Sequence, residues 1–267
     1  MTRIRNLGEL QGDVLLFGGP YSNLQATEAL FQRARDLGIA GANIICTGDV
    51  VAYCGNPVET LALVRGSGCA VLAGNTEISL AARAGDCGCG FEEGSACDRL
   101  ARDWYGYASA AVGSDDRAWM GDLPDRITFR HRGQRWVVVH GGAGDVARFL
   151  WPVSFEDDFW HEISILQEEV GVIDGVIAGH CGIAFQRRID GVAWLNAGVI
   201  GMPPHDGGRE TAFAVLGDEG PRIETLSYDV AGAVAAMKAA GLTQGYEVAL
   251  ESGYWPSEDI LPKSMRR

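Results

Sequence analysis

Positive charge is scarce in this sequence. Its 22 lysines and arginines stand against 35 aspartates and glutamates, a formal net charge of -13, and the only basic run is the terminal Lys263 to Arg267. A duplex or an anionic membrane surface repels such a chain, so no nucleic-acid scaffold is expected as a partner. A small phosphorylated substrate stays admissible, because a bound metal inverts the local field. Long apolar runs are missing too: no stretch approaches the ~20 residues a membrane helix needs, and Met1 to Leu10 lack an apolar core of signal-peptide length. The seven cysteines are odd in number, and Cys87, Cys89 and Cys97 fall short of a four-cysteine zinc or cluster spacing. Without an export signal they read as reduced thiols in a cytoplasm. Repeats, low-complexity tracts and linkers are absent as well.

What is present suits one large α/β domain. The 267 residues are 47% hydrophobic and 21% charged, enough to build a sizeable core. The central stretch is Ile45-Cys46-Thr47-Gly48-Asp49-Val50, where an apolar run stops at a Gly-Asp pair. A turn and a helical pattern over 58–64 follow. This is a buried strand delivering a carboxylate at its carboxyl end, where open α/β sheets place ligands. Three further apolar runs end alike: 70–73 at Gly74-Asn75-Thr76-Glu77, 136–139 at His140-Gly141-Gly142, and 175–178 at Gly179-His180-Cys181-Gly182. One carboxylate, one amide oxygen and two imidazoles are thus expected at one sheet edge. Oxygen and nitrogen donors with no compulsory thiolate suit Mn, Fe, Zn or Ni.

The remaining chain frames these four runs. A strand over 13–17 leads through Gly18-Gly19-Pro20-Tyr21 into a helix with Leu24, Leu30, Ala34 and Leu37 on its apolar face. Gly-Gly there is not a phosphate loop, since no lysine follows and Pro20 lacks a backbone donor. Residues 85–95 read as a loop and 96–111 and 115–120 as helices, a lid-like insertion over about 85–122 or a plain surface excursion. A hairpin spans 126–139, a helix 155–170, and from Ala184 onwards short alternating strands (184–188, 192–196, 210–216, 222–227) read as antiparallel. A last helix covers 229–240. The tail from 241 to 267 is expected to pack across the body or against a second copy.

With Ser22-Asn23-Leu24, Gly48-Asp49, Gly74-Asn75, Val139-His140-Gly141, Gly179-His180 and Asn196-Ala197-Gly198-Val199-Ile200-Gly201 in order, the chain resembles the calcineurin-like metallophosphoesterase superfamily, in its small bacterial phosphodiesterase branch. The resemblance spans about residues 13–240. It implies an α/β fold of four layers, α-β-β-α, with two mixed sheets face to face. It also implies a two-metal site that cleaves phosphomonoesters or phosphodiesters with a metal-activated hydroxide.

The departures gather in half of that site. The family's opening Asp-x-His corresponds to Gly19 and Tyr21, and the last histidine of Gly-His-x-His to Gly182, so every private ligand of the first metal is gone. The second metal's set maps onto Asp49, Asn75, His140 and His180, all present. One divalent transition ion (Mn, Fe, Zn or Ni) is therefore expected, and a second ion lacks its own ligands. The family's histidine after Gly-Asn is Thr76, which cannot shuttle a proton near neutral pH. His205, in the loop after the Asn196 motif, is the candidate replacement acid. Asp49 and Asn75 are the expected catalytic positions beside it. Tyr21, Asn23, Thr76 and Glu77 are the expected substrate contacts, and Cys54 and Cys181 are candidate extra ligands. His131 and His161 fit structural or solvated roles.

Two functions follow. One is a phosphoesterase acting on a small phosphomonoester or phosphodiester at a reduced or remodelled metal site. The other is a non-catalytic protein that holds a phosphorylated ligand on the same fold. A metal-dependent reaction of another kind, drawing on the cysteine-rich loop, is a third reading.

Overall fold

Strands that are apolar at every position need cover on both faces, and the architecture supplies it. A computed structural model describes residues 2–267. In chain order its strands are β1 (Ile4–Leu10), β2 (Val14–Phe17), β3 (Ile44–Cys46), β4 (Ala70–Val71), β5 (Arg126–His131), β6 (Gln134–Val138), β7 (Gly175–Ala178), β8 (Phe185–Ile189), β9 (Val192–Asn196), β10 (Thr211–Gly217) and β11 (Gly220–Leu226). The α-helices are α1 (Leu24–Asp36), α2 (Pro57–Gly66), α3 (Asn75–Ala82), α4 (Ala96–Ala111), α5 (Ser114–Asp122), α6 (Glu156–Val170), α7 (Val230–Ala239) and α8 (Tyr246–Ser252).

The strands form a five-stranded sheet, β11-β10-β2-β3-β4, and a six-stranded sheet, β1-β5-β6-β7-β9-β8. Side-chain alternation along β2 shows how the layers are made. Val14 and Leu16 point between the sheets, where they join Ile45, Leu72, Phe129, Trp136, Val138, Ile177 and Leu195. Leu15 and Phe17 point outward into a core with Leu30, Leu61, Val64, Trp104 and Met237 from the helices. On the outer face of the other sheet, Val137, Val176 and Trp194 pack with Phe159, Ile163 and Leu166 of α6. Helix, sheet, sheet, helix is the resulting order of layers.

β2, β3 and β4 are parallel, as are β6, β7 and β9. Their carboxyl ends therefore collect on one rim of each sheet, and the two rims touch. A Cβ on Gly179, after β7, would lie 2.3 Å from Oγ1 of Thr47, after β3. Only glycine permits that approach.

Two features go beyond the sequence reading. The strands after Ala184 are antiparallel as expected within β8–β9 and β10–β11 and where β10 meets β2, but the two hairpins lie in different sheets and β9 runs parallel to β7. Alternation marks a hairpin locally but carries no information on its outer neighbour. The chain also opens with β1, a mostly exposed edge strand that pairs in parallel with β5. Its polar residues disguise it, as expected for an edge facing water.

The cysteine loop differs from its reading as free thiols. Cys87 and Cys89 form a disulfide across a turn in which Gly88 takes φ +62°. A three-residue ring lies outside the spacings by which cysteine pairs are recognised in sequence, which is why it escapes notice there. In the same segment α4 and α5 bury Trp104, Tyr105, Ala108 and Met120 in the helix-side core, while Phe91 stays partly exposed.

Leu16→Ala should cost about 2–5 kcal/mol in urea unfolding, against less than about 0.5 for Glu9→Ala on the exposed strand. Thiol titration of denatured, unreduced protein should count the five unpaired cysteines, rising to seven after reduction.

Candidate metal centre

Asp49 follows β3 with φ 57°, and His180 follows β7 with φ 63°. Left-handed backbone at non-glycine residues costs energy and clusters where a side chain must be aimed. Both turns are stiffened from beneath. The buried Glu77 carboxylate accepts from the amides of Asp49 (2.8 Å), Val50 (2.8 Å) and Gly74 (2.9 Å), tying the end of β3 to the end of β4. Glu162 of α6 does the same for the loop after His140, accepting from Ala143 (2.5 Å) and Gly144 (3.0 Å). Asn196 closes the third side, donating to the Gly179 carbonyl at 2.7 Å.

The donors held this way meet at one point. His140 Nε2 lies 3.0 Å from Asn75 Oδ1, 3.1 Å from His180 Nδ1 and 3.2 Å from Asp49 Oδ2. The Nδ1 of His140 donates to the Thr47 carbonyl at 2.6 Å, which leaves Nε2 with a lone pair. Asn75 donates through its amide nitrogen to the Cys87 carbonyl (3.0 Å) and to Cys89 Sγ (3.4 Å), turning its oxygen toward the histidines. Lone pairs thus face lone pairs in a buried place, and a proton or a cation must stand among them. Spacings near 3 Å are those of adjacent ligands around an ion with bonds of ~2.0–2.2 Å. Asp49, His140 and His180 form a group able to hold a metal, and Asn75 adds a fourth donor from the side.

The electrostatics agree with that fit. Burial would raise the Asp49 pKa, but the imidazoles and the Thr76 amide hold it below the usual carboxylate range. For His140, burial works downward and the Asp49 carboxylate outweighs it, so the pKa is raised. Burial and the adjacent His140 push His180 down to about 3, which leaves it neutral with a free lone pair.

Thr76 reaches the site through Asp49. Its hydroxyl (3.0 Å) and amide (3.2 Å) both donate to Oδ1, so only Oδ2 is turned toward the imidazoles. A Cβ on Gly74 would sit 2.4 Å from the same Oδ1, so glycine is required there. Tyr21 lines the adjoining cavity together with Thr76, Asp49 and His180. Burial, then the Asp49 charge, drives the Tyr21 pKa well above its ordinary value, so the phenol is neutral.

The side chains of the other candidates are engaged away from the donor cluster. Asn23 is the N-cap of α1, accepting from Ala26 and donating to the Gly201 carbonyl, so its amide is spent on the loop. Glu77 is engaged by the three backbone amides and the Thr76 hydroxyl, and it does not line the cavity beside Asp49. His205 is no replacement acid: Nδ1 accepts from the Trp255 amide and Nε2 pairs with Glu258, each at 2.8 Å. The Cys54 thiol is buried against the Gly201 carbonyl, and burial raises its pKa. Cys181 accepts from Asn196 at 3.2 Å and donates to the Ile183 carbonyl, with burial pushing it up to about 12. Neither thiol belongs to the donor cluster. His131 is buried against the Gly12 carbonyl, and His161 is exposed.

Sequence reasoning passes over three contributors. Thr47 acts through its carbonyl, which any residue has. Phe149 packs against His180 at a tilt, with centroids 4.2 Å apart, and Trp255 arrives from the tail to pack beside Gly182. No local pattern marks either ring.

No family model matches the chain. An uncharacterized protein of Methanocaldococcus jannaschii is 21% identical over 228 residues, which cover 79% of this chain and 85% of the relative. A metallophosphoesterase from Sphaerobacter thermophilus superposes with a TM-score of 0.69 at 19% identity, covering 91% of this chain and 100% of that one. A hypothetical protein from Pyrococcus horikoshii OT3 gives a TM-score of 0.72 at 17% identity, with 90% and 98% covered. Taken with the two mixed sheets between helices, these likenesses show that the chain shares the fold of the Sphaerobacter thermophilus metallophosphoesterase.

Proposed function

We propose that this protein is a metal-dependent phosphoesterase that works with one divalent ion held by Asp49, Asn75, His140 and His180. The observation that carries the reading is the convergence of the buried Asp49, Asn75 and His180 donors on His140 Nε2, an arrangement unfavourable without a proton or a cation among them. When bound, a divalent ion there supplies Lewis-acid polarisation of a phosphoryl oxygen and brings the pKa of water to about 7. The fold's likeness to a metallophosphoesterase supports a phosphorylated small molecule as the substrate class.

The chain's own residues do the positioning. Thr47 fixes the His140 tautomer, and Thr76 occupies one Asp49 oxygen, so the carboxylate has a single oxygen left to offer. Gly19, Tyr21 and Gly182 contribute no ligand for a second ion. Asn75, at the start of α3, also places the positive end of a helix beside developing negative charge. No imidazole remains to protonate a leaving group, since His205 is committed to Glu258 and Trp255. The ester must therefore depart largely unassisted.

Elemental analysis of protein reconstituted with manganese should find one ion per chain. Asp49→Asn should lose that ion and reduce hydrolysis of bis-4-nitrophenyl phosphate about a thousandfold. Stoichiometric metal with no turnover on any phosphoester would favour a ligand-holding protein instead. Without a general acid, 4-nitrophenyl esters should outpace unsubstituted phenyl esters by on the order of a hundredfold in kcat, whereas equal rates would restore an acid to the site.

A further inference from the structure

The half of the site that lacks ligands is a furnished cavity. It opens beside Asp49, Thr76 and His180. Its walls include Tyr21, Tyr53, Phe91, Phe149, Met202 and Trp255. Two of the positions that lost a ligand have become seats for these rings. A Cβ on Gly19 would lie 2.6 Å from both Tyr21 and Val199, and one on Gly182 would lie 3.2 Å from the Trp255 indole. The rings brace one another: Tyr21 meets Tyr53 edge-on at 4.8 Å, and Phe149 leans on His180 at 4.2 Å.

Charge is as telling as shape. Among the described residues, no lysine or arginine lines the cavity. A dication set against the Asp49 carboxylate leaves one positive charge facing the ligand, in a chain whose net charge is -13. Polyphosphates and dianionic monoesters would need cationic side chains that this wall lacks. A monoanion is matched.

We propose that this cavity is a recognition pocket for a flat apolar arm, an aromatic ring in the first instance, carried by a singly charged phosphodiester. The proposal rests on the metal-site reading above and names its substrate class. The phosphoryl group would sit at the donor cluster and the arm would enter between Tyr21, Phe149 and Trp255, which exclude water from it. Apolar rings prefer edge and offset contacts of the kind these walls offer.

Calorimetry on the manganese-loaded full chain tests this without turnover. The probes are methyl phenylphosphonate and methyl methylphosphonate, two stable monoanions, with methylenebisphosphonate as the polyanion. The phenyl probe should bind about 30-fold tighter than the methyl probe, as expected for burying one ring, and the polyanion no tighter than the methyl probe. Phe91→Ala, on the partly exposed rim, and Trp255→Ala, in the tail, should each remove most of the phenyl preference while leaving the manganese stoichiometry at one. Thermal melts of both variants confirm that they fold. Equal affinity for the two monoanions, or tightest binding of the polyanion, overturns the pocket while the metal reading stands. A chain that binds no manganese overturns both together.

Discussion

Lone pairs aimed at one another across 3 Å, with room for one positive charge among them, are the constraint on which the rest of this molecule depends. With neither a proton nor a cation among them, His140 Nε2, Asn75 Oδ1, His180 Nδ1 and Asp49 Oδ2 repel, and burial removes the water that would separate them. Only a rigid frame holds such a cluster. Glu77 and Glu162 supply it, two buried carboxylates that contact no substrate space and instead collect the backbone amides of the loops that carry the donors. The strained turns at Asp49 and His180 persist because these anchors overdetermine them.

The same rim divides into two halves of opposite character. On one side, polar donors are gathered around a single point. On the other, Tyr21, Tyr53, Phe149 and Trp255 take the volume that charged ligands would require. A second cation in that half would lose its hydration to ring faces and gain no carboxylate or imidazole, while Asp49 Oδ1 is already committed to Thr76. Gly19 and Gly182 carry no side chain, and the neighbouring Tyr21 and Trp255 rings pack into the space this leaves.

Much of this was legible in order along the chain. Apolar runs buried on both faces announce central strands, and a Gly-polar pair at each carboxyl end announces a rim, because parallel strands bring those ends together. That is enough to nominate Asp49, Asn75, His140 and His180. The roles of Asn23, Glu77, His205, Cys54 and Cys181 were not legible in the same way. Each is a polar or thiol group next to a motif, and adjacency in sequence does not say which way a side chain turns. Asn23 turned to cap a helix, Glu77 to gather amides, and His205 to bind the tail.

By itself, then, the sequence determined a layered α/β class and which donors end the central strands, because period, run length and glycine placement are local properties of the chain; the four layers came from the resemblance its motifs carry. Tertiary structure alone decided that β9 pairs in parallel with β7, that Cys87 bonds Cys89 across a turn, and that rings more than a hundred residues apart wall one cavity. Those outcomes depend on which surfaces meet once the sheets stack, and packing of that kind leaves no periodic trace in any single stretch of residues.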